Sequence, residues 1–245
     1  MTRQRGFSLI ELAIVLVIVT ILIGGLAVPL SAQIQARRIA ETQKILEEAR
    51  EAIIGYAMTH SATTALSSRY LPCPDVNGDG REDRSGSGGG CTSISGTVSS
   101  GFFPWVDLGV ASQDAWGNRI RYAVASTLAN SSTGFSIASP VPNDPLVICS
   151  SNTCSASVPD IADDLAIVLV SHGPTGWGAQ NLNNLPGKLN AAPTGADEAA
   201  NLDADRKYVS RAPTQKGTVA GEFDDLLVST SFYQLITRVC PTGCP

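Results

Sequence analysis

Residues 75–83, Asp-Val-Asn-Gly-Asp-Gly-Arg-Glu-Asp, hold the densest run of oxygen-bearing side chains in the sequence. They match the first nine places of an EF-hand calcium loop, where alternate oxygens face one centre and Gly80 permits the turn. The predicted Ca²⁺ ligands are Asp75, Asn77, Asp79, Asp83 and the carbonyl of Arg81. Gly86 replaces the usual bidentate Glu, so the EF-hand is incomplete. The alternative is a solvated acidic turn.

Glu11 is the second residue with the potential for chemistry. It is the only charged residue between residues 7 and 30, a stretch that is otherwise almost wholly apolar. A carboxylate in an apolar helix is costly and marks a functional position by default. The alternative is that Glu11 lies near a membrane interface and reaches water.

Residues 7–30 are long enough to span a bilayer, which needs about 20 apolar residues. Arg3 and Arg5 precede this stretch, which favours a cytoplasmic start and an exported remainder, although Arg37 and Arg38 after it weaken the charge argument. An ordinary secretory signal has a shorter apolar core. We therefore predict a transmembrane helix rather than a cleaved signal peptide.

All six cysteines follow the apolar stretch, as expected of disulfides in an oxidising compartment. Fifteen pairings are possible, and we favour the pairs that are nearest in sequence because each encloses a turn-rich loop. These pairs are Cys73–Cys91, Cys149–Cys154 and Cys240–Cys244. Zinc is disfavoured because the chain has no Cys-x-x-Cys motif and only two histidines.

The segment Arg5-Gly6-Phe7-Ser8-Leu9-Ile10-Glu11-Leu12 resembles the leader motif of type IV pilins and type II secretion pseudopilins. The resemblance implies that a prepilin peptidase cuts after Gly6 and that Phe7 is then N-methylated. It also implies that Glu11 pairs with the N-terminal amine of Phe7 in a neighbouring subunit. Such pairing is physically reasonable because it offsets the desolvation penalty of two buried charges.

Residues 31–60 have the pattern of an amphipathic helix, with Ile39, Leu46, Ala49, Ile53 and Ala57 at helical spacing. We predict that this helix continues the apolar one and packs on the domain that follows. The predicted organisation is a leader (1–6), a membrane and assembly helix (7–30), the amphipathic helix (31–60) and an exported domain (61–245).

The predicted fold class is α+β, with the long helix on a mostly antiparallel sheet. The predicted strands are 119–125, 135–138, 146–149, 165–170 and 226–229, and 231–239 is either a short helix or a strand. Ser231 with Gln234 fits a helix capping box. Residues 61–118 and 173–221 are interpreted mainly as loops.

Two further segments resemble parts of pseudopilins and related prepilin-type proteins. Residues 114–122 are similar to an Asp-x-Trp-Gly-x-x-x-x-Tyr segment, in which Asp114 would bind backbone amides and Gly117 would adopt a positive φ. Residues 221–228, Gly-Glu-Phe-Asp-Asp-Leu-Leu-Val, resemble a late strand of such proteins.

Composition and motifs exclude several function classes. The net charge of -5 argues against a nucleic-acid partner. The pair Ser171-His172 does not indicate a hydrolase, because adjacent side chains of a strand point to opposite faces and no Gly-x-Ser-x-Gly elbow exists. The chain is not predicted to be an enzyme.

The sequence thus predicts a filament subunit, of a minor type, in a type IV pilus or a type II secretion pseudopilus. Its expected partners are other pilin-like subunits, prepilin peptidase and the inner membrane, with the C-terminal domain in the periplasm before assembly. The alternatives are a calcium-dependent adhesin or receptor-binding subunit displayed through the same helix, and a membrane-anchored protein without a filament.

Overall fold

A computed structural model of the chain describes residues 8–86, 88–92, 95–183, 188–219 and 221–244, with every side chain among them except those of 23–29. The chain divides into two units, residues 1–40 and residues 41–245. The helices are α1 (Leu9–Thr59), α2 (Trp105–Leu108), α3 (Ala196–Ala199) and α4 (Phe232–Val239). The strands are β1 (Val98–Phe102), β2 (Arg121–Ala125), β3 (Leu146–Cys149), β4 (Ala162–Ser171), β5 (Lys207–Val209) and β6 (Leu226–Ser231).

The six strands form one sheet around β4. Strands β2, β3 and β6 all pair with β4 in antiparallel orientation, and β1 pairs with β2 in the same way. The pair β3–β5 is parallel. The predicted α+β class with a mostly antiparallel sheet is therefore confirmed.

The core of the second unit forms where the end of α1 meets the sheet. Leu46, Ala49, Ile53 and Ala57 have no exposed surface, as the helical spacing predicts for the inner face. They belong to one buried cluster with β2, β4 and α4 residues, including Tyr122 and other large side chains. At roughly 25 cal/mol per Å² of buried apolar surface, this contact is a main source of the domain's stability.

Strand β1 is an element that the sequence did not indicate. Its residues, Val-Ser-Ser-Gly-Phe, lack an apolar alternation. Gly101 is required there because a Cβ at this position would lie 2.5 Å from the backbone oxygen of Asp75. The strand therefore depends on a tertiary approach between Asp75 and Phe102, whose amides and carbonyls bond each other at 2.7 and 2.9 Å.

The other differences from the sequence prediction are smaller. Strand β5 lies in a segment interpreted as loop, and the predicted strand 135–138 is wrong. Phe135 is buried and forms only an isolated bridge with Arg69. The alternation of Phe135 and Ile137 suggested a strand, but only Phe135 is buried, and Ile137 is 60% exposed.

The C-terminal helix begins with the predicted capping box. Ser231 Oγ accepts a hydrogen bond from the Gln234 amide, and Gln234 Oε1 accepts one from the Ser231 amide, both at 3.3 Å. This cap resolves the choice between helix and strand for residues 231–239 in favour of α4. The structure also contains the three disulfides Cys73–Cys91, Cys149–Cys154 and Cys240–Cys244, each between cysteines close in sequence.

Helix α4 is tied to α1 by an ion pair whose effect on stability depends on pH. Arg238 donates from both terminal nitrogens to Glu51 at 2.6 Å, and these bonds lower the pKa of Glu51 to about 2. Because this pKa lies below its ordinary 4.5, the pair stabilises the fold above pH 4.5 and loses its effect between pH 4.5 and pH 2.

We expect Glu51→Gln to lower the free energy of unfolding by about 0.5–1 kcal/mol at pH 7, a modest value because both side chains are nearly half exposed. The difference from the wild type should shrink towards pH 2, as measured by urea denaturation at each pH. Glu48→Gln is the control, since Glu48 forms only an exposed contact with Lys44 at 3.5 Å. Equal losses in the two variants at pH 7 would contradict a specific role for the Glu51–Arg238 pair.

Candidate functional site

The start of α1 is closed by a contact between Ser8 and Glu11. Glu11 Oε2 accepts hydrogen bonds from the Ser8 amide at 2.8 Å and from Ser8 Oγ at 2.9 Å. In return, the Glu11 amide donates to Ser8 Oγ at 3.3 Å. This reciprocal pattern is a capping box, so the Glu11 carboxylate is held by its own helix in the isolated chain. Gly6 and Phe7, the predicted cleavage and methylation positions, lie outside the described residues.

The first turns of α1 expose nearly every apolar side chain. Leu9 and Ile10 are 91% and 69% exposed, and the large apolar residues from Leu12 to Leu22 are between 42% and 67% exposed. Soluble monomers rarely expose a continuous apolar surface of this extent, which marks a protein or membrane contact. Within the described residues, no helix combines the length and the apolarity that crossing a membrane would require.

The predicted calcium loop turns most of its oxygens towards its own backbone. The carboxylate of Asp75 accepts three amides, from Asn77 at 3.0 Å, Gly78 at 2.6 Å and Gly80 at 2.8 Å. Burial raises the pKa of Asp75, and these three bonds oppose that effect. The side chain has no exposed surface and acts as the centre of the turn.

Oxygens of Asn77, Asp79 and Asp83 also accept backbone amides of the loop. Asn77 Oδ1 accepts the Asp79 amide at 2.8 Å, and Asp79 Oδ1 accepts the Arg81 amide at 2.8 Å. Asp83 Oδ2 accepts the amides of Val76 at 2.7 Å and Asn77 at 3.3 Å. The geometry is that of successive Asx turns. Calcium binding by this loop stays a prediction.

Glu82, the remaining acidic residue of segment 75–83, bonds groups outside this segment. It bonds the amide of Cys73 at 3.0 Å, the hydroxyl of Tyr56 at 3.0 Å and the guanidinium of Arg84 at 2.8 Å. Glu82 therefore joins the loop to α1 and to the core.

A second acidic group lies where β4 ends and β6 begins. Glu198, Asp224 and Asp225, the acidic cluster, each offer a carboxylate oxygen within 4.8 Å of the others. Glu198 and Asp225 are 2% and 6% exposed, and Asp224 is half-buried. Glu198 belongs to α3, and the two aspartates immediately precede β6.

The surroundings of the acidic cluster satisfy Asp224 and Asp225 but only half of Glu198. Asp224 accepts the amide and the hydroxyl of Thr175 at 3.1 and 3.0 Å. Asp225 lies 3.2 Å from His172 Nδ1 and accepts Asn201 Nδ2 at 2.8 Å. Glu198 Oε1 accepts the Asp224 amide at 3.0 Å, whereas Glu198 Oε2 is buried and has no hydrogen-bond partner among the described residues.

Burial dominates the electrostatics of this cluster. Burial is the largest cause and the negative charge of Asp225 adds to it, and together they raise the pKa of Glu198 to about 7 and that of Asp224 to about 6. A buried carboxylate oxygen with no donor is unfavourable, and a cation with oxygen preference would satisfy it. Glu198, Asp224 and Asp225 are therefore the residues of the described chain best placed to hold a divalent cation.

No sequence pattern indicated Glu198, and Asp224 and Asp225 were marked only as part of a late strand. Two acidic residues directly before an apolar strand were the available signal. A further group with close ligand atoms, Cys149, Cys154 and Asp160, is excluded as a thiolate site because its cysteines form a disulfide.

The segment from residue 114 is structural, as predicted. Asp114 Oδ1 accepts the amides of Trp116 and Asn118, each at 2.9 Å, and Gly117 has a φ of 84°. Asp114 Oδ2 also accepts the hydroxyl of Ser171 at 2.7 Å. Ser171 and His172 thus contact different carboxylates, those of Asp114 and Asp225.

Comparison with protein families identifies the N-terminal segment. Residues 1–27 match the prokaryotic N-terminal methylation motif. This confirms the prepilin-type motif predicted from the sequence. No curated protein and no solved structure matches the chain.

We expect Asp75→Asn to lower the free energy of unfolding by about 2 kcal/mol, because it removes part of a buried carboxylate that accepts three amides. Asp79→Asn is the matched control in the same loop, since Asp79 is exposed and accepts one amide. Thermal and urea unfolding of both variants in the presence of chelator would measure the difference. Equal stability of the two variants would show that Asp75 does not organise the turn.

Proposed function

We propose that the chain is a structural subunit of a type IV pilus or a type II secretion pseudopilus. In this proposal a prepilin peptidase cleaves after Gly6, Phe7 is methylated, and α1 anchors the subunit in the inner membrane before assembly. The C-terminal domain lies in the periplasm at that stage. The match of residues 1–27 to the methylation motif supports processing of this kind.

The observation that carries the proposal is the exposed apolar surface of α1 between Leu9 and Leu22, with Glu11 as its only charge. Exposure of such a surface to water is unfavourable, and burial by lipid or by other subunits removes this cost. Its single carboxylate would be costly among packed helices unless a positive group lies beside it. The N-terminal amine of a neighbouring subunit has the required charge.

Assembly can be separated from helix capping by three substitutions. Glu11→Gln keeps an acceptor for the Ser8 amide and removes the charge, whereas Ser8→Ala weakens the cap and keeps the charge. We expect Glu11→Gln to reduce incorporation into filaments by about tenfold or more, because the partner amine is left unpaired. Glu11→Leu should behave in the same way, and Ser8→Ala should assemble.

The measurement is the fraction of the subunit in sheared filaments, with the mobility of the cleaved form as a control for processing. Normal incorporation of Glu11→Gln would contradict charge pairing. Failure of Ser8→Ala with normal Glu11→Gln would assign the role to the cap instead. Deletion of the gene distinguishes the two machines, since loss of secretion indicates a pseudopilus and loss of adhesion or motility indicates a pilus.

A second property favoured by a specific observation is Ca²⁺ binding at the acidic cluster. The buried and unpaired Glu198 Oε2 lies with two more carboxylates whose oxygens are within 4.8 Å. Oxygens on opposite sides of Ca²⁺ are about 5 Å apart, since each lies 2.3–2.6 Å from the ion. The ion would neutralise the cluster and fix α3 to the start of β6. It is also the first requirement of the alternative function, a calcium-dependent adhesin.

We expect Glu198→Gln to bind one Ca²⁺ fewer than the wild type in equilibrium dialysis of the full chain in detergent micelles. In chelator the same variant should unfold at a higher temperature than the wild type, because it removes an unpaired buried charge. Asp79→Asn serves as the control for the 75–83 loop. A loss of bound Ca²⁺ in this variant would report an ion in that loop and not in the acidic cluster. An unchanged number of bound ions in Glu198→Gln would contradict this site.

A further inference from the structure

A pocket of about 250 Å³ opens between α1, the end of β6 and α4. It lies in the second unit, and none of its lining residues belongs to the acidic cluster. Its walls are formed by Arg50, Ile54, Thr230, Gln234, Thr237 and Arg238. The lining therefore carries two guanidinium groups and no carboxylate.

Two residues of this lining each carry a buried side-chain atom that has no hydrogen-bond partner in the part of the chain that the structure describes. Thr230 is 2% exposed and its Oγ1 is unpaired, and Arg50 Nε is buried and unpaired as well. A guanidinium nitrogen can only donate, and a threonine hydroxyl donates as readily as it accepts. Because unpaired buried polar atoms are rare in folded proteins, two at one pocket point to a missing acceptor.

The remaining polar groups of the pocket differ in whether they are free to act. Gln234 turns its amide oxygen to the Ser231 amide, which leaves its amide nitrogen as a donor. The hydroxyl of Thr237 is already committed to the carbonyls of Tyr233 and Gln234, each at 3.0 Å. Thr230 and Thr237 thus line the same pocket. Among the described residues the Thr230 hydroxyl forms no hydrogen bond, whereas the Thr237 hydroxyl bonds two carbonyls.

The two arginines are held in place from outside the pocket. Arg50 contacts Glu47 at 2.7 Å and Glu51 at 3.1 Å, and Arg238 bonds Glu51 at 2.6 Å. These carboxylates do not line the pocket. They orient the guanidinium groups, so the arginine side chains would lose less conformational entropy when a ligand binds.

We propose that this pocket binds a small oxyanion, a carboxylate or a phosphate, through Arg50 Nε and Thr230 Oγ1. Arginine donors match the geometry of both groups, and hydrogen bonds to an ionised acceptor are stronger than neutral ones. The volume suits a small anion rather than a large organic ligand. The proposal makes no use of filament assembly, so it can be tested on the single chain.

The test is titration of the full chain in detergent micelles with inorganic phosphate or acetate, followed by calorimetry and thermal unfolding. Chloride at the same ionic strength controls for general screening of charges. We expect saturable binding of at least one oxyanion, with a Kd that rises about tenfold or more in Thr230→Val, because one hydrogen bond to a charged group is lost. Thr237→Val should bind as the wild type does.

Arg50→Lys provides a second variant that keeps the positive charge and removes the Nε donor. It should weaken binding as Thr230→Val does, and it keeps the proposal testable if Thr230→Val does not fold. Equal effects of chloride and the oxyanions would overturn the proposal. So would equal affinity of Thr230→Val and Thr237→Val, or unchanged affinity in Arg50→Lys.

Discussion

The antiparallel pairing of β4 with β6 is the constraint on which the polar sites of the domain depend. Ser171 at the end of β4 lies opposite Leu226 at the start of β6, so the residues just beyond this pair must meet. His172 follows one strand and Asp225 precedes the other, and their side chains lie 3.2 Å apart. Towards the other end of the same ladder, Thr230 pairs with Ile167 and lines the pocket beside α4. One register therefore positions both the acidic cluster and the pocket beside α4, and a slip of one residue would turn both sets of side chains to the opposite face.

Satisfaction of buried polar atoms distinguishes the structural sites from those that call for a ligand. Asp75 is completely buried, yet three amides of its own loop meet its carboxylate. Glu198 is almost as buried, but one of its oxygens has no donor. If candidate cation sites are ranked by the number of carboxylates close in sequence, the 75–83 loop comes first. If they are ranked by unpaired buried oxygens, the acidic cluster comes first. Because an unpaired buried group costs about 1–3 kcal/mol or more when charged, the second criterion carries more physical weight.

The elements that the sequence predicted well are those whose pattern reflects burial directly. The helical spacing of Leu46, Ala49, Ile53 and Ala57 identified the inner face of α1, and the continuous apolar run at 165–170 identified the central strand. Strand β1 escaped prediction because its sequence has no apolar alternation, and the strand is recognised only by its pairing with Asp75 and β2. The acidic cluster and the pocket beside α4 could not be predicted from the sequence either, because each depends on residues far apart in the chain. Glu198 and Asp225 are 27 residues apart, and Arg50 and Thr230 are 180 residues apart, so only the folded chain brings each pair together.

The capping box at the start of α1 bears on how Glu11 would function in a filament. In the isolated chain the carboxylate is shared between the amide and the hydroxyl of Ser8. Such a cap contributes about 1 kcal/mol, whereas a buried carboxylate or ammonium without a partner costs several kcal/mol. Exchange of the Ser8 contact for the amine of a neighbouring subunit is therefore favourable once water is excluded, and unfavourable while the helix end is exposed. In the proposed assembly the cap would hold Glu11 in a defined rotamer until packing supplies the amine, so the same carboxylate would first complete its own helix and then set the axial register between subunits.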